Sequence, residues 1–117
     1  MECLYEDTAD GVRIIRLKGR MDIQGHEEVA TRFTALAVSG GSAIVVDLSG
    51  LDFIGSLGIG TLVSAARTLK LRKGALALFG AGANVTTALV RTSIPAIIPT
   101  FATLDEARAL VTAPAGP

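Results

Sequence analysis

The chain has 117 residues, half of them hydrophobic, and its eleven basic and eleven acidic side chains cancel. That length holds one domain with a sizeable interior and leaves no room for a second core. Zero net charge with no Trp, one Tyr and four Phe argues against a nucleic-acid binder, which needs a basic excess and stacking aromatics. No apolar run approaches the ~20 residues of a membrane span.

The first residues, MECLYEDTADG, carry acids where a secretory leader has bases and then an apolar run, so a cytoplasmic protein is expected. Cys3 is the single cysteine, which rules out an internal disulfide and reads as a small buried side chain. Leu4 to Glu6 is a short first strand, and Asp10-Gly11 is a hairpin signal leading into a second strand from Val12 to Lys18. In that strand Val12 and Ile14 fall on one face and Ile15 and Leu17 on the other. Gly19-Arg20-Met21-Asp22 ends it, and Asp22 is placed to cap a helix from about Ile23 to Val38. Its apolar stripe is Val29, Phe33, Leu36 and Ala37, and Glu28 and Arg32 are spaced to pair for ~0.3 kcal/mol. Ser39-Gly40-Gly41-Ser42 stops this helix.

Residues Ser42 to Arg72 organise the rest. Ala43-Ile44-Val45-Val46 is a short apolar run suited to a strand buried on both faces. Asp47 and Leu48 end it, and Ser49, Gly50 and Asp52 are turn formers. From Ile59 the period becomes helical, with Ile59, Leu62, Val63, Ala66 and Leu69 on one face. Ser56 stands before that run, where its hydroxyl can cap the first turn. Arg72-Lys73-Gly74 closes the helix. Ala75 to Phe79 is another strand, Gly80-Ala81-Gly82 turns the chain, and Asn84 is placed to cap a third helix with Val85, Ala88, Leu89 and Thr92 inward. Ser93-Ile94-Pro95 breaks that helix. Ile97-Ile98 is a short edge strand between two prolines. Thr103 and Glu106 form a capping box for a last helix with Leu104, Ala107, Leu110 and Val111 inward. Thr112 to Pro117 is a frayed tail, leaving residues 1–112 as the domain and 113–117 outside it. The fold class is therefore α/β, a mixed but mainly parallel sheet of four to five strands packed with about four helices.

Asp47-Leu48-Ser49-Gly50-Leu51-Asp52-Phe53-Ile54-Gly55-Ser56-Leu57-Gly58-Ile59-Gly60-Thr61-Leu62 resembles the signature loop of the STAS domain family, roughly D-L-S-x-x-x-F-I-D-S-S-G-x-x-x-L. Gly19-Arg20-Met21-Asp22 is similar to a second family motif, G-R-L-D, and the order of elements agrees along nearly the whole chain. Two positions depart: Gly55 replaces the acidic residue before the serines, and Leu57 replaces the second serine, the usual phosphate acceptor. The resemblance implies an anti-sigma factor antagonist, a binding protein and not an enzyme. Its implied partner is an anti-sigma factor with a histidine-kinase-like ATPase fold, a serine kinase, whose sequestration releases a sigma factor for transcription. The implied partner-binding residues are Asp22, Ser49, Asp52, Gly55, Ser56, Leu57 and Gly58. Regulation by a phosphate on Leu57 is closed to this chain. A STAS module of another signalling or lipid-transport assembly, or one binding a small ligand, is the alternative.

From the residues themselves, each candidate has a plainer reading. Ser56 is a helix cap, or else a partner contact or phosphorylation site where a phosphate would meet the helix dipole. Leu57 faces solvent at the partner surface, or folds into the core. Asp22, Ser49 and Asp52 are turn chemistry, or part of a site at the strand ends. Gly80-Ala81-Gly82-Ala83-Asn84-Val85 mimics the start of a dinucleotide fingerprint but has Val85 in place of the third glycine. His26 has no Cys or His partners for a metal or a triad and is placed on the surface of the first helix. Glu27-Glu28 and Asp105-Glu106 are read as first-turn acids. Arg67, Lys70, Arg72 and Lys73 are a solvated helix end, or a docking patch for an acidic partner. No cofactor, metal, nucleic acid or inserted membrane segment is expected, and a homodimer stays open.

Overall fold

The computed structural model describes residues 1–113; Thr112, expected in the frayed tail, closes the last helix, and the tail from 114 to 117 lies outside the described residues. Five strands lie side by side in chain order: β1 (Glu2–Asp7), β2 (Val12–Met21), β3 (Ala43–Ile54), β4 (Ala75–Phe79) and β5 (Thr100–Phe101). β1 runs antiparallel to β2 through the Asp10-Gly11 turn, where Gly11 takes a left-handed φ of +85°, and the remaining pairs are parallel. Each parallel step needs a crossover. Helices α1 (Ile23–Ser39), α2 (Ser56–Leu71), α3 (Ala83–Arg91) and α4 (Leu104–Thr112) fill those connections and the end of the chain.

The strands are apolar on both sides because both sides are covered. Ile15, Leu17, Ile44, Val46, Leu48, Leu76 and Leu78 meet Val29 and Phe33 of α1, Leu62 and Leu69 of α2, and Val85 and Leu89 of α3. Val12, Ile14, Val45, Ala77 and Phe79 point the other way, to Ala107 and Val111 of α4. The two-faced pattern expected of β2 is thus the pattern that forms. Each large side chain buried this way contributes roughly 1.5–3 kcal/mol of transfer free energy.

Several local expectations are corrected. β3 does not end at Asp47-Leu48; it runs on through Ser49, Gly50 and Asp52 to Ile54, still paired with β2. Lys18 faces Gly50 after Arg16 faces Asp47, and Arg20 faces Phe53 after Gly19 faces Leu51, so β3 carries one extra residue at each of two bulges. The turn-forming residues serve those bulges rather than a turn. α2 begins at Ser56, three residues before Ile59, and its N-cap is Gly55, so Ser56 is not a cap. α3 likewise starts from Gly82, with Asn84 inside the first turn. Ile97-Ile98 is not a strand. A 3₁₀ turn over Ile94–Ala96 buries Ile94 and Ile98, and the edge strand forms after Pro99. Leu110 is exposed, leaving Ala107 and Val111 as the buried residues of α4.

Glu28 does not pair with Arg32: it meets the N-terminal amine at 3.2 Å, while Arg32 Nε donates to the Cys3 carbonyl at 2.7 Å. Glu27 and Glu28 lie past the first turn of α1, whereas Asp105 and Glu106 do open α4. The Thr103–Glu106 capping box forms as expected, and Cys3 is buried.

Candidate functional site

The signature residues gather where β2 and β3 end and α1 and α2 begin. Asp22 is the N-cap of α1, its Oδ1 accepting from the Gly25 N–H at 2.8 Å. Gly55 is held beside it, since its N–H donates to the Met21 carbonyl at 3.0 Å. A side chain on Gly25 would come within 2.0 Å of the Arg20 carbonyl oxygen, so only glycine lets α1 start against the end of β2. Gly58 is buried, and a methyl there would meet Met21 Sδ at 2.6 Å. It sets how closely α2 approaches β2 and lies beneath the rim, not on it.

Above this packing is a shallow cavity of about 290 Å³ whose rim includes Arg20, Asp22, Ile23, Phe53, Ser56 and Leu57. Two of these are apolar and turned outward: Ile23 is 70% exposed and Leu57 51%. Leu57 thus takes the solvent-facing alternative. The Arg20 guanidinium lies 4.3 Å from the centre of the Phe53 ring and 3.5 Å from the Asp22 carboxylate, which fixes one positive group at the lip. The Ser56 residue is exposed at the first position of α2, and its hydroxyl makes no cap. The first-turn N–H groups of α2 have no side-chain acceptor there.

Ser49 and Asp52 do not share that cavity. They line a second one of about 210 Å³, against Gly82 and Asn84 at the start of α3. Asp47 organises its neighbourhood: Oδ1 accepts from the Ser49 N–H at 2.9 Å and from the Ser49 hydroxyl at 2.6 Å, and Oδ2 lies 3.4 Å from Arg16 Nε. Gly80, with φ +78°, passes so close that a Cβ would stand 3.2 Å from Ser49 Cβ. Val85, in place of a third glycine, is buried in the core, so this stretch is a packed strand-to-helix turn.

Arg20, Ile23 and Phe53 were not among the expected site residues. Ile23 carried a signal in retrospect: it is apolar at the first position of a helix whose core stripe begins only at Val29. His26 is not simply a surface residue. It is half-buried, with Nε2 2.6 Å from Thr61 Oγ1, tying α1 to α2. Among the described residues, no group of three His, Cys, Asp or Glu side chains is placed to hold a metal ion, and no helix is long and apolar enough to cross a membrane.

No curated protein matches this sequence. Solved structures do. An anti-sigma factor antagonist from Mycobacterium paratuberculosis is 25% identical with a TM-score of 0.85, over 96% of this chain and 94% of that one. The anti-sigma factor antagonist SpoIIAA of Bacillus, in its unphosphorylated form, is 21% identical with a TM-score of 0.75, over 94% and 96%. A sulfate transporter family protein from Wolinella succinogenes is 20% identical with a TM-score of 0.71, over 86% and 84%. The last two likenesses speak for the fold alone. The STAS domain profile matches residues 7–107, from the end of β1 through β5 to the start of α4. With sheet order, helix placement and profile in agreement, the chain belongs to the STAS domain family.

Proposed function

We propose that this chain is an anti-sigma factor antagonist. It binds and sequesters an anti-sigma factor with a histidine-kinase-like ATPase fold, and so frees a sigma factor for transcription in the cytoplasm. The observation that carries this reading is the exposed pair Ile23 and Leu57 at the adjoining starts of two helices, beside the fixed Arg20 guanidinium. A small apolar centre ringed by charge is the usual make-up of a transient protein interface. The work done at the rim is binding; ATP belongs to the partner. Asp22, Gly55, Ser56 and Leu57 form the centre of the docking surface, Gly58 supports it from below, and Ser49 and Asp52 extend it toward α3.

Control by phosphate differs here from that of relatives with two serines. Leu57 cannot accept a phosphoryl group. Ser56, exposed at the positive end of α2, is the remaining hydroxyl, and a phosphate there would add nearly two negative charges beside an apolar contact. Recovery of partners from native cells with the tagged chain tests the reading: a protein with a histidine-kinase-like ATPase domain is expected. Recovery of a transporter or receptor assembly instead would support the alternative, a STAS module of a transport or signalling complex.

A further inference from the structure

Two charged side chains stand at the rim, and they are not equally free. Asp22 is occupied by its own chain: Oδ1 accepts from the Gly25 N–H at 2.8 Å, and Oδ2 lies 3.5 Å from Arg20 Nε. Arg20 forms no other ion pair among the described residues, and at 3.5 Å this one is not a good hydrogen bond. The guanidinium is still held in place, because it sits over the Phe53 ring, 4.3 Å from the centre. The ring attracts the cation but offers it no oxygen or nitrogen acceptor, so the fork of N–H donors stays available. The Arg20 side chain is 63% exposed, so those donors can be reached.

The surroundings have the same sign. The rim is built from the starts of α1 and α2, and neither helix has an acid in its first turn to offset the positive end of its dipole. Asp22 is the single acid among the residues that line the cavity. The apolar part of the rim lies along the same cavity, where Ile23 and Leu57 are both exposed. A fixed guanidinium beside two aliphatic side chains fits a carboxylate that has apolar neighbours. Arginine matches a carboxylate with two parallel hydrogen bonds, and apolar cover around such a pair excludes water and strengthens it.

We infer that Arg20 fixes the partner chemistry of the rim: it receives an aspartate or glutamate of the bound protein, whose apolar neighbours cover Ile23 and Leu57. The inference rests on the reading of the rim as a docking surface and goes beyond it, because it makes Arg20, not Asp22, the charged contact. Asp22 is then a positioning residue, which caps α1 and steadies the guanidinium. A basic segment of a partner would meet the Arg20 charge beside an Asp22 already in use. A second copy of this chain docked rim to rim would bring two Arg20 side chains together. An anionic bilayer calls for a cluster of bases, and the cavity is lined by one.

The test needs no natural partner. Random dodecapeptides displayed on phage are selected on the full chain, and the enriched sequences are titrated in solution by fluorescence polarisation. They are expected to carry Asp or Glu beside Leu, Ile or Phe. Their affinity should fall at least about tenfold with Arg20→Glu, and likewise with Ile23→Ser plus Leu57→Ser, each variant keeping its amide spectrum away from the rim. A cycle of Arg20→Met against Glu→Gln in the peptide should show a coupling of at least about threefold, and a Glu→Lys peptide should regain binding on Arg20→Glu. Peptides that need Ile23 and Leu57 but bind Arg20→Glu unchanged, or that carry Lys or Arg in place of the acid, overturn the inference and leave the rim reading standing. A selection that yields no peptide dependent on Ile23 and Leu57 overturns both. Tighter binding to phosphatidylserine vesicles than to any peptide, lost with Arg20→Glu, overturns the inference in favour of a membrane.

Discussion

At the scale of single residues, two glycines set the geometry of the rim, and they differ in what stands in their way. Gly25 faces a backbone carbonyl, which cannot move aside, whereas Gly58 faces the end of a methionine side chain. Gly25→Ala should therefore cost more stability than Gly58→Ala. The expected losses are at least ~3 kcal/mol for the first and ~1–3 kcal/mol for the second, read as shifts of the urea midpoint. Equal losses would mean that Met21, which is 1% exposed, is as immobile as the backbone. Cys3 offers a different check. Burial pushes its thiol up from the ordinary range, against the opposing pull of Arg32, so little thiolate forms. Alkylation by iodoacetamide near pH 8 should be slow in the folded chain and fast in urea. Rapid native labelling would contradict the burial of β1 against α1.

At the scale of elements, α1 and α2 must hold a fixed relation, because the rim is made from the starts of both. The His26–Thr61 bond is a polar tie between them near the rim, and Arg72 donating to the Val38 carbonyl is another at the far end. A double-mutant cycle with His26→Ala and Thr61→Val should give a coupling of ~1 kcal/mol, and additive losses would argue that the tie is incidental. Periodicity made α1, α2 and α4 legible in the sequence, and the Thr103 capping box marked the start of α4 to the residue. The path of β3 was not legible. Ser49-Gly50 and Asp52 are turn formers by every local rule, yet pairing with β2 carries the strand through them and spends the two extra residues on bulges. Helix starts were misplaced for a related reason. Gly55 and Gly82 cap α2 and α3 with no side chain at all, whereas residue preference pointed to Ser56 and Asn84. The rim was half legible: Asp22, Ser56 and Leu57 came from motif spacing. Ile23 and Arg20 entered only when two distant strand ends were brought together.

At the scale of the molecule, the paired charges on the β1–β2 side make the fold acid-sensitive. The hydrogen bond from Arg13 holds the Asp7 carboxyl below the usual carboxylate range, and those from Thr8 and then Arg108 do the same for Asp10. A carboxylate with a lowered folded pKa stabilises the fold above its unfolded value, near ~3.9, and that contribution is lost as pH falls through the lowered value. Tm should be nearly flat between about pH 7 and 5 and fall below about pH 4. Asp7→Asn with Asp10→Asn should lower Tm at neutral pH and shrink the acid drop, and an unchanged drop would assign acid sensitivity to other groups. Along the chain the charges are divided as well: residues 53–104 hold five bases and no acid, and the remainder holds eleven acids against six bases.

If the proposed rim of Ile23 and Leu57 grips another protein, those two side chains carry much of the affinity. The most direct measurement is the affinity of the recovered partner for the wild-type chain and for Ile23→Glu with Leu57→Glu, two exposed positions whose replacement leaves the core intact. Loss of affinity by about a hundredfold or more, with Tm held within a few degrees, is the expected result. Unchanged affinity in the folded variant would place the contact elsewhere on the domain.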